Sequence, residues 1–152
     1  MRAIKVMVSS LVLVAAVAVH AAGPNDTVLA RQKSLKQIGG AAKAAGDTLK
    51  TSTPDLAVIK ASAATINGLA PKLVTWFPAG TGPDKATVKT GAKAEIWTDN
   101  AGFKAAAANL VKAAAAYKMA ADSGNLDAIR ANQKSLGMAC KGCHDKYRLK
   151  DD

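Results

Sequence analysis

The sequence is poor in aromatic residues, in histidine and in cysteine. Its 152 residues include two tryptophans, two tyrosines, two phenylalanines, two histidines and two cysteines. Segments in which apolar and polar residues alternate, as they do along half-buried β-strands, are also missing. These absences argue against a sheet protein, and they leave few side chains from which a metal centre could be built.

The N-terminus supplies the longest apolar run. Residues 1–21 combine Arg2 and Lys5, an apolar stretch from Val6 to Val19 and small residues after it. This is the three-part pattern of a secretory signal peptide, and the run is shorter than the about 20 residues that a membrane span needs. We therefore expect cleavage after Ala21, no membrane anchor, and export to a periplasm-like compartment.

Positive charge dominates the composition. The formal net charge is +10, and removal of residues 1–21, which hold Arg2 and Lys5 and no acid, leaves +8. The lysines are spread along the chain rather than clustered, which is typical of a solvated cationic surface. Steering toward an acidic redox partner is the other interpretation. Nucleic acid is not an expected partner of an exported protein.

Four segments repeat apolar residues every three or four positions, the pattern of amphipathic α-helices. The stripes consist of Val28, Arg31, Leu35, Ile38, Ala42, Ala45 and Leu49; of Leu56, Ile59, Ala63, Ile66, Ala70, Leu73 and Phe77; of Phe103, Ala107, Leu110, Ala114, Tyr117 and Ala121; and of Leu126, Ile129, Gln133, Leu136, Cys140, Cys143 and Tyr147. A Gly- and Pro-rich connection separates the second helix from the third. The sequence therefore predicts an all-α, antiparallel, up-down four-helix bundle over residues 22–152, with one long connection between helices 2 and 3.

Local signals predict the helix ends. Thr53 is expected to cap the second helix, with Pro54 at its first helical position, and Pro71 to kink that helix or end it early. Gly124 is expected to stop the third helix and Asn125 to cap the fourth. The third and fourth helices are therefore predicted to be antiparallel neighbours.

The fourth segment carries the sequence Cys140-Lys141-Gly142-Cys143-His144. A structural zinc site needs four Cys or His ligands, and residues 22–152 hold three. A thioredoxin-like dithiol needs a βαβ setting, and a disulfide leaves His144 without a role. Cys-x-x-Cys-His is the attachment sequence of c-type haem, and on a helix the three side chains share one face. We therefore predict one covalently attached haem c with His144 as iron ligand.

The sixth ligand of such an iron is hard to find in this sequence. No second histidine follows residue 21, Met138 is too close to Cys140 to reach the opposite face, and Met119 lies off the third stripe. The first helix offers Leu35 instead of a ligand. We therefore predict a five-coordinate, high-spin iron with an apolar distal side. The alternative is a six-coordinate one-electron carrier that uses Met119 or another group.

Two arginines are further candidates for the haem site, and a distal histidine is missing. Arg31 lies on an apolar stripe, where it can pair with a haem propionate or snorkel to solvent. Arg148 can pair with a propionate or stabilise the end of the last helix. Peroxidase chemistry requires a distal acid–base group, usually histidine, and none remains, so we expect no enzymatic activity.

The whole of residues 22–152 resembles the cytochromes c′, the class II c-type cytochromes. The resemblance is carried by "ARQKSLKQIG" (30–39), "EIWTDNAGFK" (95–104), "AADSGNLDAIRA" (120–131) and "CKGCHDKYR" (140–148). It implies thioether bonds at Cys140 and Cys143, His144 as proximal ligand, Arg31 and Gln32 beside the propionates, Leu35 over the distal face, and Glu95 and Ile96 along the haem edge.

The resemblance also implies a periplasmic homodimer that associates through its first two helices. Such a protein binds NO and CO and takes part in electron transfer with redox partner proteins. Gly39-Gly40 departs from the family and is predicted to interrupt the first helix, at about 1 kcal/mol per glycine relative to alanine. The pair either weakens the helix-mediated dimer or lets two backbones approach closely.

Overall fold

The computed structural model describes residues 23–150, so the predicted signal peptide and its cleavage after Ala21 lie outside the described residues. The helical segments are α1 (Pro24–Thr48), α2 (Leu56–Leu69), a 3₁₀ helix (Ala70–Trp76), α3 (Glu95–Thr98), α4 (Asn100–Ser123) and α5 (Leu126–Tyr147). The four long predicted helices correspond to α1, to α2 with its 3₁₀ extension, to α4 and to α5. The short α3 lies within the long connection.

The long helices form a bundle in which each packs along its neighbour in the chain. α1 packs along α2, α2 along α4, and α4 along α5. Residues 23–150 contain a single isolated β-bridge, between Ala92 and Arg148, and no strand. The predicted all-α four-helix bundle is confirmed. No helix within residues 23–150 is both long and apolar enough to cross a membrane.

The apolar stripes form the core, as their helical spacing requires. Every member of the α4 stripe is buried: Phe103, Ala107, Leu110, Ala114, Tyr117 and Ala121. Alanine at alternate turns brings the helix axes close, and the remaining space is filled by aliphatic residues such as Ile59 and Ile129, both 0% exposed. Close packing of this kind makes the interior sensitive to the loss of a single methylene group.

Three of the predicted helix boundaries are confirmed. Gly124 ends α4 in the left-handed conformation, with φ 71°, and donates its N–H to the Ala121 carbonyl at 3.2 Å. The Asn125 side chain accepts the Ala128 N–H at 3.0 Å and so caps α5. Before Pro71, α2 gives way at Ala70 to the tighter 3₁₀ helix, because proline cannot donate the next helical hydrogen bond.

The predicted start of the second helix is wrong by two residues. Asp55, not Thr53, is the N-cap, and its carboxylate accepts N–H groups from Ala57 at 2.8 Å and Val58 at 3.2 Å. An ionised carboxylate that satisfies two amides, at the positive end of the helix dipole, is a stronger cap than a hydroxyl. Pro54 therefore precedes the cap instead of opening the helix.

The predicted interruption of the first helix is also wrong. α1 continues through Gly39 and Gly40 to Thr48. Both glycines are exposed, whereas Ile38 and Ala45 on the same helix are buried against the bundle. Tertiary packing on both sides offsets the low helix propensity of the pair, because most helical stability in proteins comes from the buried face.

Candidate haem-binding site

The helices α1 and α5 are joined differently from the other neighbours in the bundle. Within residues 23–150 they make no extended contact with each other, whereas each packs closely along another helix. The Gln133 side chain of α5 links them, donating from Nε2 to the Ala42 carbonyl of α1 at 3.2 Å. Beyond this link, the C-terminal half of α5, which carries the Cys-x-x-Cys-His motif, lies beside the N-terminal half of α1.

The long connection ties those two halves together at the end that carries the motif. Arg31 of α1 donates from Nη1 to the Thr81 carbonyl at 2.9 Å and from Nη2 to Thr90 Oγ1 at 3.1 Å. Only three residues beyond Thr90, the Lys93 N–H donates to the Tyr147 carbonyl at the end of α5, at 3.0 Å. The same short stretch of chain thus contacts the beginning of α1 and the end of α5, so these two helices are antiparallel.

The cysteines of the motif are free thiols on the inward side of α5. Cys140 and Cys143 are half-buried and pack against the core, and no disulfide joins them. Burial raises the pKa of both thiols. One helical turn separates them, so the two side chains lie on the same face of α5.

His144 follows directly and is more exposed than the two thiols. The residue as a whole is exposed, yet burial of the ring lowers the pKa of the imidazole. The positive charge of Arg148 also lowers this pKa, whereas the negative charge of Asp145 raises it. The neutral imidazole is the form that binds a metal. Arg148 is the C-cap residue of α5, and its N–H donates to the His144 carbonyl at 3.0 Å.

Leu35 lies on α1 across from the motif. The two turns from Gln133 to Cys140 lie beside the two turns from Ala42 back to Leu35, because the helices are antiparallel and are joined at Gln133 and Ala42. Leu35 is half-buried and packs against the core, as do Cys140 and Cys143. An aliphatic side chain of α1 therefore lies at the same level of the bundle as Cys140 of α5.

Arg31 is buried rather than snorkelling, so that alternative is wrong. Its side chain is 1% exposed, and its guanidinium carbon lies 4.8 Å from the Phe77 ring centre and 5.6 Å from that of Trp97. Burial lowers its pKa. The neighbouring Gln32 donates from Nε2 to the Lys89 carbonyl at 2.8 Å. Both predicted propionate-side residues therefore contact the long connection.

The predicted haem-edge residues begin α3, and the two methionines lie outside the core. Glu95 is exposed at the first position of α3, and Ile96 behind it is 2% exposed. Met119 is 68% exposed and Met138 is 59% exposed. Neither thioether is directed into the bundle, which argues against Met119 as a sixth ligand.

Some contacts at this end could not have been predicted from the sequence. Thr81 and Thr90, which hold Arg31, lie in an irregular connection whose path follows no periodicity. The hydrogen bond from the Tyr147 hydroxyl to Asp99 Oδ2, at 2.7 Å, joins residues 48 positions apart. One signal was available, since Asp99 precedes an apolar repeat and is therefore a candidate N-cap.

Comparisons with known proteins agree with this architecture. The family model of cytochrome C' matches residues 26–148. Cytochrome c′ of Alcaligenes xylosoxydans xylosoxydans is 36% identical over 134 residues, which cover 85% of this chain and 98% of that protein. The chain belongs to the cytochrome c′ family.

Two solved structures of the family show the same bundle. The nitric oxide complex of a variant of cytochrome c prime from Alcaligenes xylosoxidans has a TM-score of 0.76 at 32% identity, covering 87% of this chain and all of that chain. A cytochrome c′ described as having an unusual ligand-controlled dimer dissociation has a TM-score of 0.81 at 26% identity, with 86% and 100% coverage.

Members of the family carry a covalently attached haem c, which confirms the predicted cofactor. The residues of this chain fit that group. Cys140 and Cys143 are two free thiols one turn apart, as bonding to two vinyl groups requires, and an imidazole follows at the next position. Within residues 23–150, α1 and α5 also make no extended contact with each other, unlike the other neighbouring long helices.

Proposed function

We propose that this chain is an exported monohaem cytochrome that keeps one iron position free for diatomic gases and exchanges single electrons. Cys140 and Cys143 would hold the haem by thioether bonds, and His144 would bind the iron. The observation that carries the proposal is that two half-buried thiols on α5, followed by an imidazole, and the half-buried Leu35 on α1 all lie at one end of the bundle, with both described methionines turned away from the core. A haem bound there supplies an iron that takes up a small gas or one electron.

Leu35 would act as the lid of the distal side. Its side chain is apolar and has no hydrogen-bond donor, so it gives a bound gas no polar stabilisation. This favours NO and CO over dioxygen, whose bound form needs a donor. A leucine at this place also has to move aside before a ligand enters, which excludes larger or charged molecules. The relative that was crystallised as a nitric oxide complex supports this proposal.

Arg31 and Gln32 would serve the propionate side, with Glu95 and Ile96 along the haem edge. Arg31 makes three hydrogen bonds to Thr81 and Thr90, whereas a guanidinium has five N–H donors. Two donors therefore remain for a carboxylate. The buried guanidinium would thus hold the connection and a propionate together, which places the charge of the propionate beside a cation.

Export, dimerisation and redox partners belong to the same proposal. Residues 1–21 would direct the chain to the periplasm, where redox partner proteins would meet it.

A homodimer would form through α1 and α2, whose outer faces border a groove of about 610 Å³ lined by Gly40 and Gly68 among others. A Cβ at either glycine would meet no atom within 4 Å, so a second backbone can approach closely. A relative with ligand-controlled dimer dissociation supports this part.

Optical spectra of the reduced protein with and without CO test the proposal. A high-spin spectrum that changes on addition of CO is the expected result. A sharp, split visible band that does not respond to CO means six-coordination, and it would leave the six-coordinate electron carrier as the function.

The role of Leu35 is tested by the rate of ligand binding in a Leu35→Ala variant. We expect faster binding of CO and NO and admission of bulkier ligands. Leu29→Ala is the matched control, because Leu29 lies on the same helix but is 53% exposed. Equal rates in wild type and Leu35→Ala would show that Leu35 is not the lid.

A further inference from the structure

The last turn of α5 is held to the first turn of α4 by a small polar cluster outside the haem-binding residues. The Tyr147 hydroxyl donates to Asp99 Oδ2 at 2.7 Å, and the Lys146 ammonium lies 2.5 Å from the same oxygen. The other carboxylate oxygen accepts the Gly102 N–H at 3.2 Å, which makes Asp99 the N-cap of α4. One carboxylate therefore joins the beginning of α4 to the end of α5.

Gly102 provides the space for this cluster. A Cβ added at residue 102 would lie 2.5 Å from the Tyr147 hydroxyl and would also collide with Asp99 Oδ2. Real Cβ atoms do not approach other atoms that closely, so an alanine here would displace the pair. The cluster thus depends on a glycine at a helical position where alanine is otherwise favoured.

The rest of Tyr147 is fixed as well. The residue is 3% exposed, and its ring meets the Phe103 ring edge-on at 5.4 Å between centres. Its carbonyl accepts the Lys93 N–H, and the N–H of Leu149 donates to the Gly91 carbonyl at 2.8 Å. Side chain and backbone together leave the final turn of α5 little freedom to rotate or slide.

We propose that Asp99 and Tyr147 are positioning residues that set the orientation of the His144 imidazole. His144 lies three residues before Tyr147 in the same helix, so the two side chains lie on the same side of α5, one turn apart. A rotation of the last turn about the helix axis moves both. The cluster would thereby determine how the imidazole meets the iron. This proposal rests on His144 as iron ligand, as proposed above.

The test uses the holoprotein with two conservative substitutions. Tyr147→Phe keeps the ring against Phe103 and removes the hydroxyl. Asp99→Asn keeps an oxygen acceptor for the helix cap and removes the charge. The readouts are the iron–histidine stretching band of the ferrous protein in resonance Raman spectra, and the midpoint potential. We expect a shifted and broader band and a displaced potential in Tyr147→Phe, with a smaller change of the same sign in Asp99→Asn.

Asp122→Asn is the matched control, because Asp122 pairs with Lys118 at the opposite end of α4. It should leave band and potential as in wild type. Gly102→Ala provides an independent variant, and it should reproduce the change of Tyr147→Phe without altering either partner.

The outcomes separate this proposal from the function it rests on. Lower thermal stability in Tyr147→Phe with an unchanged band and potential means a purely structural role and overturns the positioning proposal. If the wild-type protein lacks the iron–histidine band, the five-coordinate assignment is wrong. The positioning role is then judged from the midpoint potentials of the variants. An unchanged potential in both variants again overturns the positioning role.

Discussion

The two ends of the bundle are built from the same helices but are closed in different ways. At the far end, Ala45, Ile59, Ala121 and Ile129 contribute one residue from each long helix, and all are 0% exposed. At the motif end, Leu35, Cys140 and Cys143 are half-buried. There, α1 and α5 are linked through the long connection rather than by packing.

The two ends therefore obtain their stability from different sources. The far end is stabilised by the burial of apolar side chains, and this stabilisation decreases when side-chain volume is removed. The motif end also buries apolar rings, such as those of Phe103 and Tyr147, but it adds long-range hydrogen bonds from Arg31 to the connection and from Tyr147 to Asp99. These directional bonds hold α1 and α5 to the connection, so this end can hold the two helices at a set distance. That is what the binding of a flat prosthetic group requires.

The largest expected effect is at the far end. Ile59→Ala should lower the free energy of unfolding by about 3 kcal/mol, because it removes a fully buried side chain and leaves a cavity. Urea denaturation followed by circular dichroism measures the change. Leu56→Ala, at a residue that is 36% exposed on the same helix, is the control. Equal losses in the two variants would show that burial of the side chain does not determine the loss at the far end.

Arg31→Met should have the largest effect at the motif end. The substitution keeps a long apolar side chain but leaves the Thr81 carbonyl and the Thr90 hydroxyl without the donor they now have. We expect a loss of about 2 kcal/mol in the free energy of unfolding, the cost of buried groups left unpaired. Arg130→Met, at an exposed position of α5, serves as control. A loss no larger than in the control means that Arg31 does not hold the connection.

Acid should weaken the motif end through Asp99. Hydrogen bonds from Lys146 and Tyr147 lower the pKa of Asp99 from 3.8 to about 2. Because the folded pKa lies below the unfolded one, the contribution of Asp99 is complete above about pH 4 and is lost as pH falls toward 2. Unfolding measured from pH 5 to pH 2 should show this loss in wild type. The same titration of Asp99→Asn should show a smaller loss, since Asp47 and Asp145, whose pKa values are also lowered, remain; identical curves would rule out a contribution from Asp99.

The smallest expected effect is an increase in the free energy of unfolding. Gly137 is exposed on α5, and a Cβ there would meet no atom within 4 Å. Gly137→Ala should therefore raise the free energy of unfolding by about 0.5–1 kcal/mol through helix propensity. Thermal melts of Gly137→Ala and Gly102→Ala compare an open position with a crowded one. The substitution at Gly102 should destabilise the protein. A gain in both would show that the space beside Gly102 is not restrictive.

Much of the fold could be predicted because helical stripes repeat along the chain. Six of the seven buried residues of α4 were predicted, all but Ala120, and Gly124 and Asn125 marked the loop between α4 and α5. The errors came from competition between local signals. Thr53 was predicted as the cap of α2, but the carboxylate of Asp55, two residues later, accepts two amide N–H groups and caps the helix instead. The low helix propensity of Gly39-Gly40 was outweighed by the packing of α1 against residues that are distant in the chain.

The sequence alone determined the haem motif, the all-helical class and the absence of a ligating side chain on the first helix. All three follow from residue type and short-range spacing. Only the tertiary structure decided that Arg31 is buried against Thr81 and Thr90, that Met119 faces outward, and that Asp99 holds Tyr147 across a space made by Gly102. These contacts join residues tens of positions apart through an irregular connection. No periodic pattern encodes them, because their geometry exists only when the helices are in place.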